Sequence, residues 1–510
     1  MGVDTQPNQG ENIFDLDLNH EYLFYRRTKI IATIGPSSSS AEKIRDLILK
    51  GLNVARINFS HGKPQEHLRT IQTIRAVSSK LRVPVAVLGD LSGPKIRVGR
   101  FRGDEVLLKE GAVVTITPEP VIGDETLIPC QYRKLTSEVA VSDRILLDDG
   151  NLELKVISKS NGKVRAKVIS GGVLKNNKGM NLPDTKMKIP ALTEKDRKDV
   201  LFCIRGRVDY IALSFVRRPE DVLELKGILR RRKADIPVIA KIEKPEALEN
   251  IIEIIGAADG IMIARGDLGV ELPAKKVPLI QGKLIEACIQ GRKPVIVATQ
   301  MLESMMEHPR PTRAEATDVS AACLSGVDAV MLSGETASGK YPVEALEMMD
   351  SILRETEAYQ FFSSGGMFRD TSALRSKGAG NAVSSAIAQL SRDLMVRCII
   401  VATRTGCTAS VVASDRPSAP IMALTSSEQV LRKLQLIWGV FPHLVGSRFN
   451  GKDSLSFAEA LMKKMKLAVS GDYLLMVAGT SGKTETHSIT VHKIMGGADD
   501  KKARPIKERC

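Results

Sequence analysis

Residues 29–58 read KIIATIGPSSSSAEKIRDLILKGLNVARIN. Two short β-branched runs, 29–34 and 54–58, enclose a helical pattern that opens with the N-cap residue Ser40 and closes before Gly51. Both runs carry apolar residues on both faces, which is typical of strands in a parallel sheet covered by helices. This segment therefore predicts a strand, a crossover helix and a second, parallel strand.

The same unit recurs along most of the chain, and most of the strand-like runs are separated by another amphipathic stretch. Eight such units predict a closed (β/α)8 TIM barrel rather than an open doubly wound sheet. The runs are residues 29–34, 54–58, 85–90, 210–214, 238–241, 260–264, 294–298 and 329–333.

The barrel pattern is interrupted once and is followed by a third region. The gap between the third and fourth runs is too long for a βα connection, and its turn signals, Asp149-Gly150 and Asn161-Gly162, predict a small inserted β-barrel domain. After a polar, glycine-rich linker, CIIVAT, PIMALT and YLLMVAG predict an α/β domain. The predicted ranges are an N-terminal extension (1–26), the barrel (27–97 and 191–359), the inserted domain (98–190), the C-terminal α/β domain (376–495) and a basic tail (496–510).

Composition excludes several classes of function. No apolar run approaches the roughly 18 residues that cross a bilayer, so we expect no membrane span. The net charge is +15, but the basic runs contain no interleaved aromatic residues, so we expect no nucleic-acid partner. Anionic substrates explain the charge equally well. The seven cysteines form no CxxC pair, which indicates a reducing compartment, the cytoplasm.

Polar residues collect where the predicted barrel strands end, which is where barrel enzymes carry their chemistry. Strand alternation puts Lys241 and Glu243 on one face, and Asp267 from the next unit could share a hard cation with Glu243. Arg56 and Arg97 add positive charge. Cations of this kind neutralise a transferring phosphoryl group, so the set predicts a phosphate-handling site.

Taken singly, these residues also have structural explanations. Lys241 and Glu243 could form an ordinary ion pair, and Arg265 with Asp267 could form a helix-entry cap with its salt bridge. Polar residues from six strand ends together favour a functional site.

Seven segments then carry a family resemblance. They resemble the signature segments of the pyruvate kinase family, in the family's order, and the similarity covers about residues 27 to 495. The resemblance implies transfer of the phosphoryl group of phosphoenolpyruvate to ADP, a lid role for the inserted domain, a regulatory role for the C-terminal domain, and a homotetramer. The alternatives are another phosphoenolpyruvate-handling barrel enzyme and a non-catalytic or moonlighting relative. The segments are INFSHG, GDLSGPKIRVG, IAKIEKPEAL, MIARGDLGVEL, VATQMLESM, PRPTRAEATDV and MLSGETASGKYP.

The resemblance also implies roles for individual residues. Because a threonine hydroxyl is a poor acid, a water chain through Thr299 is the expected proton source for the enolate. The implied roles are Mg²⁺ (or Mn²⁺) ligation by Glu243 and Asp267, phosphoryl contacts by Lys241, Arg56 and Arg97, substrate binding by Gly266, Asp267 and Thr299, and nucleotide contacts by Asn58, His61, Arg97 and Lys178.

The chain departs from the family's commonest pattern at a monovalent-cation position. Asn58, Ser60 and Asp90 match the family's potassium ligands, but Leu91 and Lys95 stand where many members carry threonine and glutamate. We expect the Lys95 ammonium to act as an internal cation there, so that K⁺ is not required. The alternative is that Lys95 points to solvent and potassium still binds.

A further anion site is predicted in the C-terminal domain. A hydroxyl- and glycine-rich turn precedes a predicted helix, and helix N-termini bind phosphate. In the family the matching loop holds a phosphate of a sugar-phosphate activator, so the resemblance implies a phosphorylated effector. The alternative is a capped helix start. The turn consists of Thr403, Arg404, Thr405, Gly406, Cys407 and Thr408.

Overall fold

A computed structural model describes residues 26–185, 187, 189–363, 379–446, 454–464, 467–479 and 487–495. All but the last residue of the predicted N-terminal extension, and the whole basic tail, lie outside these ranges. The chain divides into two compact units. One comprises Lys29–Met349 with Gln435–Ile437, and the other the described residues of Met1–Thr28, Asp350–Leu434 and Trp438–Cys510.

The described strands and helices alternate for most of the chain. The strands are β1 (Lys29–Thr33), β2 (Val54–Asn58), β3 (Ala86–Asp90), β4 (Glu105–Leu108), β5 (Val113–Thr117), β6 (Leu127–Pro129), β7 (Arg144–Leu147), β8 (Leu152–Ser160), β9 (Lys163–Ser170), β10 (Gly172–Lys175), β11 (Met180–Asn181), β12 (Tyr210–Leu213), β13 (Val238–Ile242), β14 (Gly260–Ala264), β15 (Val295–Ala298), β16 (Ala329–Leu332), β17 (Cys398–Ala402), β18 (Ile421–Thr425), β19 (Val440–Leu444), β20 (Tyr473–Gly479) and β21 (His487–Lys493). The α-helices are α1 (Ala41–Leu49), α2 (Pro64–Leu81), α3 (Leu135–Glu138), α4 (Glu194–Arg205), α5 (Pro219–Arg231), α6 (Pro245–Glu249), α7 (Ile251–Ala257), α8 (Arg265–Glu271), α9 (Val277–Gln290), α10 (Arg313–Leu324), α11 (Gly334–Ala337), α12 (Pro342–Ser363), α13 (Ala379–Asp393), α14 (Cys407–Ser414), α15 (Glu428–Lys433) and α16 (Ser454–Lys464). No described helix is long and apolar enough to span a membrane.

The predicted barrel is confirmed. Eight parallel strands close in the order β1-β16-β15-β14-β13-β12-β3-β2, and each begins and ends within one residue of its predicted run. Ser40 caps α1 as expected, because its side chain accepts a hydrogen bond from Lys43 N. Every residue of β1, β3, β13 and β14 is buried, which explains the continuous apolar runs.

A repeated device closes the amino end of the barrel, where the strands begin. The residue before each even-numbered strand of the barrel carries a side-chain oxygen that accepts the backbone N–H of the preceding strand. These bonds tie neighbouring strands together before their backbone ladder starts. The pairs are Asn53 with Ile30 (2.9 Å), Asp209 with Val87 (2.8 Å), Asp259 with Val238 (2.8 Å) and Asp328 with Val295 (3.0 Å).

One residue from far along the chain completes the barrel core. Leu436, which is 1% exposed, packs in the core cluster that includes Ile31 and Tyr210. Its neighbour Gln435 accepts a hydrogen bond at Oε1 from Asn53 Nδ2, at 3.4 Å. Since Asn53 immediately precedes β2, this segment packs at the amino end of the barrel.

Within the inserted domain, residues 98–190, the described elements are all strands apart from the short α3. They form a six-stranded sheet, β11-β7-β8-β9-β5-β6, and a two-stranded ribbon, β10-β4, around one apolar core. The two predicted turns are confirmed by their positive φ angles, 53° and 87° at Asp149-Gly150 and 51° and 75° at Asn161-Gly162.

The C-terminal unit contains a five-stranded sheet in the order β19-β18-β17-β20-β21. Three of its strands, β17, β18 and β20, were predicted from the sequence. The other two were not. β19 contains Pro442, which weakens a strand signal, and β21 pairs antiparallel with β20 instead of continuing the βα alternation.

Candidate active site

A buried ion cluster lies at the carboxyl end of the barrel, the end opposite Leu436. Lys241 Nζ lies 2.9 Å from Glu243 Oε1 and 3.2 Å from Asp90 Oδ1, and it donates a hydrogen bond to Ser214 Oγ at 2.8 Å. Both carboxylate side chains are 1% exposed and the lysine side chain 11%. The structure therefore brings together a carboxylate from β3, a hydroxyl group that follows β12 and an ion pair at the end of β13, which are distant in sequence.

The charged groups in this cluster shift one another's pKa values. Burial alone would lower the pKa of Lys241, but the carboxylates of Asp90 and Glu243 outweigh it and raise that pKa. Burial would raise the pKa of Asp90, but Lys241 and Arg56 lower it overall. Burial, with the repulsion of Asp267, raises the pKa of Glu243 despite the neighbouring lysine. The lysine thus stays a cation in a water-poor site.

Arg56 adds a second buried cation on the same carboxylate. Its Nε lies 2.7 Å from Asp90 Oδ2, and its Nη1 donates to Thr33 Oγ1 at 2.9 Å. Arg97, by contrast, is partly exposed and donates to the carbonyl of Asn177 in the inserted domain at 2.9 Å. Burial, followed by the charges of Arg97 and Arg56, lowers the pKa of His61. A positive field therefore covers this side of the site.

Thr299 adopts a backbone conformation that β-branched residues rarely adopt. Its φ is +70°, and such strain persists mainly at functional sites. Its Oγ1 donates to the Ala298 carbonyl at 2.5 Å and accepts the Gly266 N–H at 2.8 Å. Arg265 binds the carbonyl of Thr299 at 2.7 Å and pairs with Asp318 at 2.6 Å, not with Asp267. The salt-bridged helix cap considered above is therefore not formed.

Glu243 and Asp267 have the donor chemistry of a magnesium site. They follow neighbouring strands, β13 and β14. Glu243 Oε2 is held by the Phe215 N–H at 2.7 Å, which fixes the carboxylate. The described residues contain no group of three or more His, Cys, Asp or Glu suited to a metal. Magnesium is commonly bound by one or two carboxylates that leave positions for water and substrate phosphates, so the pair fits this ion.

Lys95 lies elsewhere than the sequence suggested. Its Nζ is 3.4 Å from Asp267 Oδ1 and 3.8 Å from Asp149 Oδ1, whereas no ion pair with Asp90 forms within 4.0 Å. The physical reason is that Arg56 and Lys241 already neutralise Asp90. The remaining residues of the expected monovalent-cation position are hydrogen-bonded within the protein. Asn58 Oδ1 accepts the Ser60 N–H at 3.0 Å, and the Leu91 N–H donates to the Ala212 carbonyl at 3.0 Å.

Two further lysines border this end of the barrel. Lys178, expected to contact nucleotide, pairs with Asp148 of its own domain at 2.7 Å. Lys195, which we did not predict, donates to the Phe59 carbonyl at 2.6 Å and to Ser92 Oγ at 3.0 Å, and so joins the loops after β2 and β3. Lys195 lies on α4, away from every strand end, so the strand-end rule gave no signal for it. Ser214 and Phe215 directly follow β12, and that rule could have found them.

The predicted effector turn joins β17 to α14 in the other unit. Gly406, with φ +88°, donates its N–H to Thr403 Oγ1 at 2.9 Å, and the Cys407 N–H lies 3.4 Å from Thr405 Oγ1. Arg404, Thr405 and Cys407 are exposed. Two hydroxyl groups of the turn thus lie against its backbone N–H groups, and three of its side chains are exposed.

Comparisons with known proteins agree with this geometry. Residues 25–346 match the family described as pyruvate kinase, barrel domain, and residues 381–492 match pyruvate kinase, alpha/beta domain. A pyruvate kinase from Geobacillus stearothermophilus is 45% identical over 479 residues, which cover 92% of this chain and 80% of that protein. One from Staphylococcus aureus is 43% identical over 474 residues, covering 92% and 81%. A crystal structure of a pyruvate kinase from Cryptosporidium parvum superposes with a TM-score of 0.86 at 35% identity, covering 92% of this chain and 97% of that one.

Proposed function

The chain belongs to the pyruvate kinase family and is a phosphotransferase, and from this premise we propose that it moves the phosphoryl group of phosphoenolpyruvate to ADP, with magnesium as the divalent cation. The observation that carries the proposal is the buried position of Lys241 between Asp90 and Glu243. A preorganised positive charge in a water-poor site stabilises a transferring phosphoryl group far more than the same charge in water. By likeness to the family we also propose a cytoplasmic homotetramer.

Different side chains of the site bind the phosphoryl group, the magnesium ion and the nucleotide. Lys241 and Arg56 bind the phosphoryl oxygens, and burial keeps water from competing for them. Glu243 and Asp267 would hold magnesium, which would supply further positive charge to those oxygens. The lid-side residues Arg97 and Lys178, with His61 and Asn58, would bind the nucleotide when the inserted domain closes over the barrel.

The product enolate needs a proton after transfer. The Thr299 hydroxyl directs its own proton to the Ala298 carbonyl, so its role is to orient a water that delivers the proton. The Gly266 N–H donates to Thr299 Oγ1 in this structure. The substrate carboxylate would therefore either replace the hydroxyl as the acceptor of this N–H or accept a later N–H of the first turn of α8.

A coupled assay tests the proposed reaction. Purified full-length chain is given phosphoenolpyruvate, ADP and magnesium, and ATP formation is followed. We expect turnover that disappears when either substrate is withheld or when EDTA removes the metal. The absence of ATP formation by folded protein would favour the non-catalytic alternative.

We propose that activity does not require potassium. The support is that Asp90 already faces two cations and that the Lys95 ammonium adds a third positive charge at the carboxyl end of the barrel. At about 4 Å and an effective dielectric near 20, two unit charges repel by roughly 4 kcal/mol, which disfavours an added monovalent cation. Turnover is measured across a potassium titration, with tetramethylammonium holding ionic strength constant. We expect a flat response, whereas strong activation of the unmodified enzyme by potassium would refute the proposal.

We propose that the turn at 403–408 binds the phosphate of an activator. Its support is the exposed, hydroxyl-rich approach to the N-terminus of α14. A panel of sugar phosphates and nucleotides is tested for activation. Activation by at least one compound, abolished in Thr405→Glu through charge repulsion, is the expected result. Identical kinetics with every compound would favour the capped-helix alternative.

A further inference from the structure

A second buried polar cluster, which no function above uses, lies within the barrel unit. Glu271, the last residue of α8, accepts two hydrogen bonds at Oε1, from Lys244 Nζ at 2.5 Å and from Asn181 Nδ2 at 2.7 Å. The Lys244 and Glu271 side chains are 4% and 1% exposed. Because all three groups are shielded from water, each depends on the others for its hydrogen bonds.

Each member of the cluster belongs to an element that carries part of the active site. α8 begins at Arg265 and presents Gly266 and Asp267. Lys244 directly follows Glu243. Asn181 lies on β11 of the inserted domain, on the same short segment as Lys178. Glu271 therefore connects the two proposed magnesium ligands to the domain that is proposed to close over them.

The cluster is arranged poorly for stability alone. Both donors share Oε1, while the buried Oε2 has no hydrogen-bond partner. Buried ion pairs are often no more stabilising than apolar residues of the same volume, and an unpaired buried oxygen makes the balance worse. The cluster instead fixes relative position. The buried charge of Glu271 has hydrogen-bond partners only when α8, β13 and the inserted domain lie in one particular position relative to one another.

We propose that Glu271 is a positioning residue for phosphoryl transfer. Through Asn181 it holds the inserted domain in the closed position, and through Lys244 it fixes α8 relative to Glu243. This inference rests on the proposed lid function of the inserted domain. The helix α8 would then both carry Asp267 at its start and hold the inserted domain through Glu271 at its end.

The test separates the lid contact from general stability. Asn181→Ala removes the lid contact and keeps the Lys244–Glu271 pair. Asn176→Ala is the matched control, because the Asn176 side chain is hydrogen-bonded within the inserted domain: its Oδ1 accepts the Phe101 N–H at 2.7 Å and its Nδ2 donates to Asp104 Oδ1 at 2.7 Å. Loss of a hydrogen bond to a charged group should raise KM for ADP roughly tenfold or more in Asn181→Ala. We expect kcat at saturating ADP to change less than twofold, and KM for ADP to stay near the parent value in Asn176→Ala.

A second readout does not depend on turnover. With ADP and magnesium bound, trypsin should cleave the connections of the inserted domain faster in Asn181→Ala than in the parent enzyme or in Asn176→Ala. Unchanged KM for ADP and unchanged cleavage, with only a lower melting temperature, would overturn the inference. If the parent enzyme formed no ATP, the proposed function would be refuted. Faster cleavage of Asn181→Ala would still support the role of Glu271 in holding the inserted domain closed. Glu271→Gln extends the test and should also raise the magnesium requirement.

Discussion

The two ends of the barrel hold similar buried carboxylates in different settings. Asp209 stands just before β12 and Asp90 ends the neighbouring β3. Asp209 Oδ2 accepts a backbone N–H, that of Val87, as well as the guanidinium of Arg75 at 2.6 Å. Asp90 faces the side-chain cations Arg56 and Lys241. At the amino end, then, the charge completes the backbone hydrogen bonding of the sheet.

The difference indicates which properties each end controls. A carboxylate that accepts backbone N–H groups stabilises the fold, because its loss leaves buried donors unpaired. A carboxylate that pairs with side-chain cations keeps those cations charged and in place for a substrate. Substitutions at the carboxyl end should therefore lower activity more than stability, and substitutions at the amino end should do the reverse.

The largest effect is expected for Lys241→Met. Loss of a preorganised charge of this kind costs roughly 3–4 kcal/mol of transition-state stabilisation, so kcat should fall about 200- to 1,000-fold. The matched control is Lys226→Met at the amino end, where Lys226 Nζ pairs with Asp259 at 2.8 Å and kcat should be unchanged. ATP formation and circular dichroism are measured for both. Near-normal turnover in Lys241→Met would remove this lysine from the mechanism.

A smaller effect is expected when the proposed metal ligands are neutralised. Residues that only support metal ligands change metal affinity about 10- to 100-fold, so Glu243→Gln and Asp267→Asn should raise the magnesium concentration for half-maximal activity by at least that range. Asp259→Asn serves as the control from the amino end. A magnesium titration of ATP formation measures all three. An unchanged requirement in both carboxyl-end variants would place the metal elsewhere.

At the amino end, Asp209→Ala should act on stability alone. Its loss leaves the buried Val87 N–H and the Arg75 charge without this partner, so the free energy of unfolding should fall by about 2–3 kcal/mol. Urea unfolding followed by circular dichroism measures it, and kcat of the folded variant should stay within twofold of the parent value. A large drop in kcat at full stability would abolish the distinction between the two ends.

The smallest effect is expected for Asn53→Ala, which removes a neutral acceptor from the Ile30 N–H. The buried Ile30 N–H loses this acceptor, which should cost about 1–2 kcal/mol, so the urea midpoint should fall slightly while the slope is unchanged. A loss as large as that in Asp209→Ala would mean that the charge of the aspartate adds nothing at this end.

Local sequence signals predicted the fold well because each is short-ranged. Runs of apolar β-branched residues located all eight barrel strands, and Asp-Gly and Asn-Gly located two turns. Strand alternation predicted that Lys241 and Glu243 share a face, and their side chains form an ion pair at 2.9 Å. Such rules describe an element, and they predict poorly what a long side chain reaches.

Long-range contacts account for what was missed. The Asn181–Glu271 bond joins residues 90 positions apart, and no periodicity signals it. Lys95 turned to Asp267 because the charge on Asp90 was already balanced by residues of other strands. The positive φ of Thr299 was not predictable either, because threonine disfavours that conformation and surrounding contacts must impose it.

Leu436 in the barrel core has a consequence for synthesis on the ribosome. The last barrel strand ends at Leu332, so about 100 more residues must be made before Leu436 exists, which takes roughly 5–20 s at cellular elongation rates. During that interval the nascent barrel has all eight strands, but the core residues that Leu436 covers are exposed to solvent. Ribosome-bound chains stalled before residue 436 should therefore bind a hydrophobic dye or a chaperone, and chains stalled well beyond it should release them. The barrel's own folding is completed by a segment that the C-terminal half of the chain delivers.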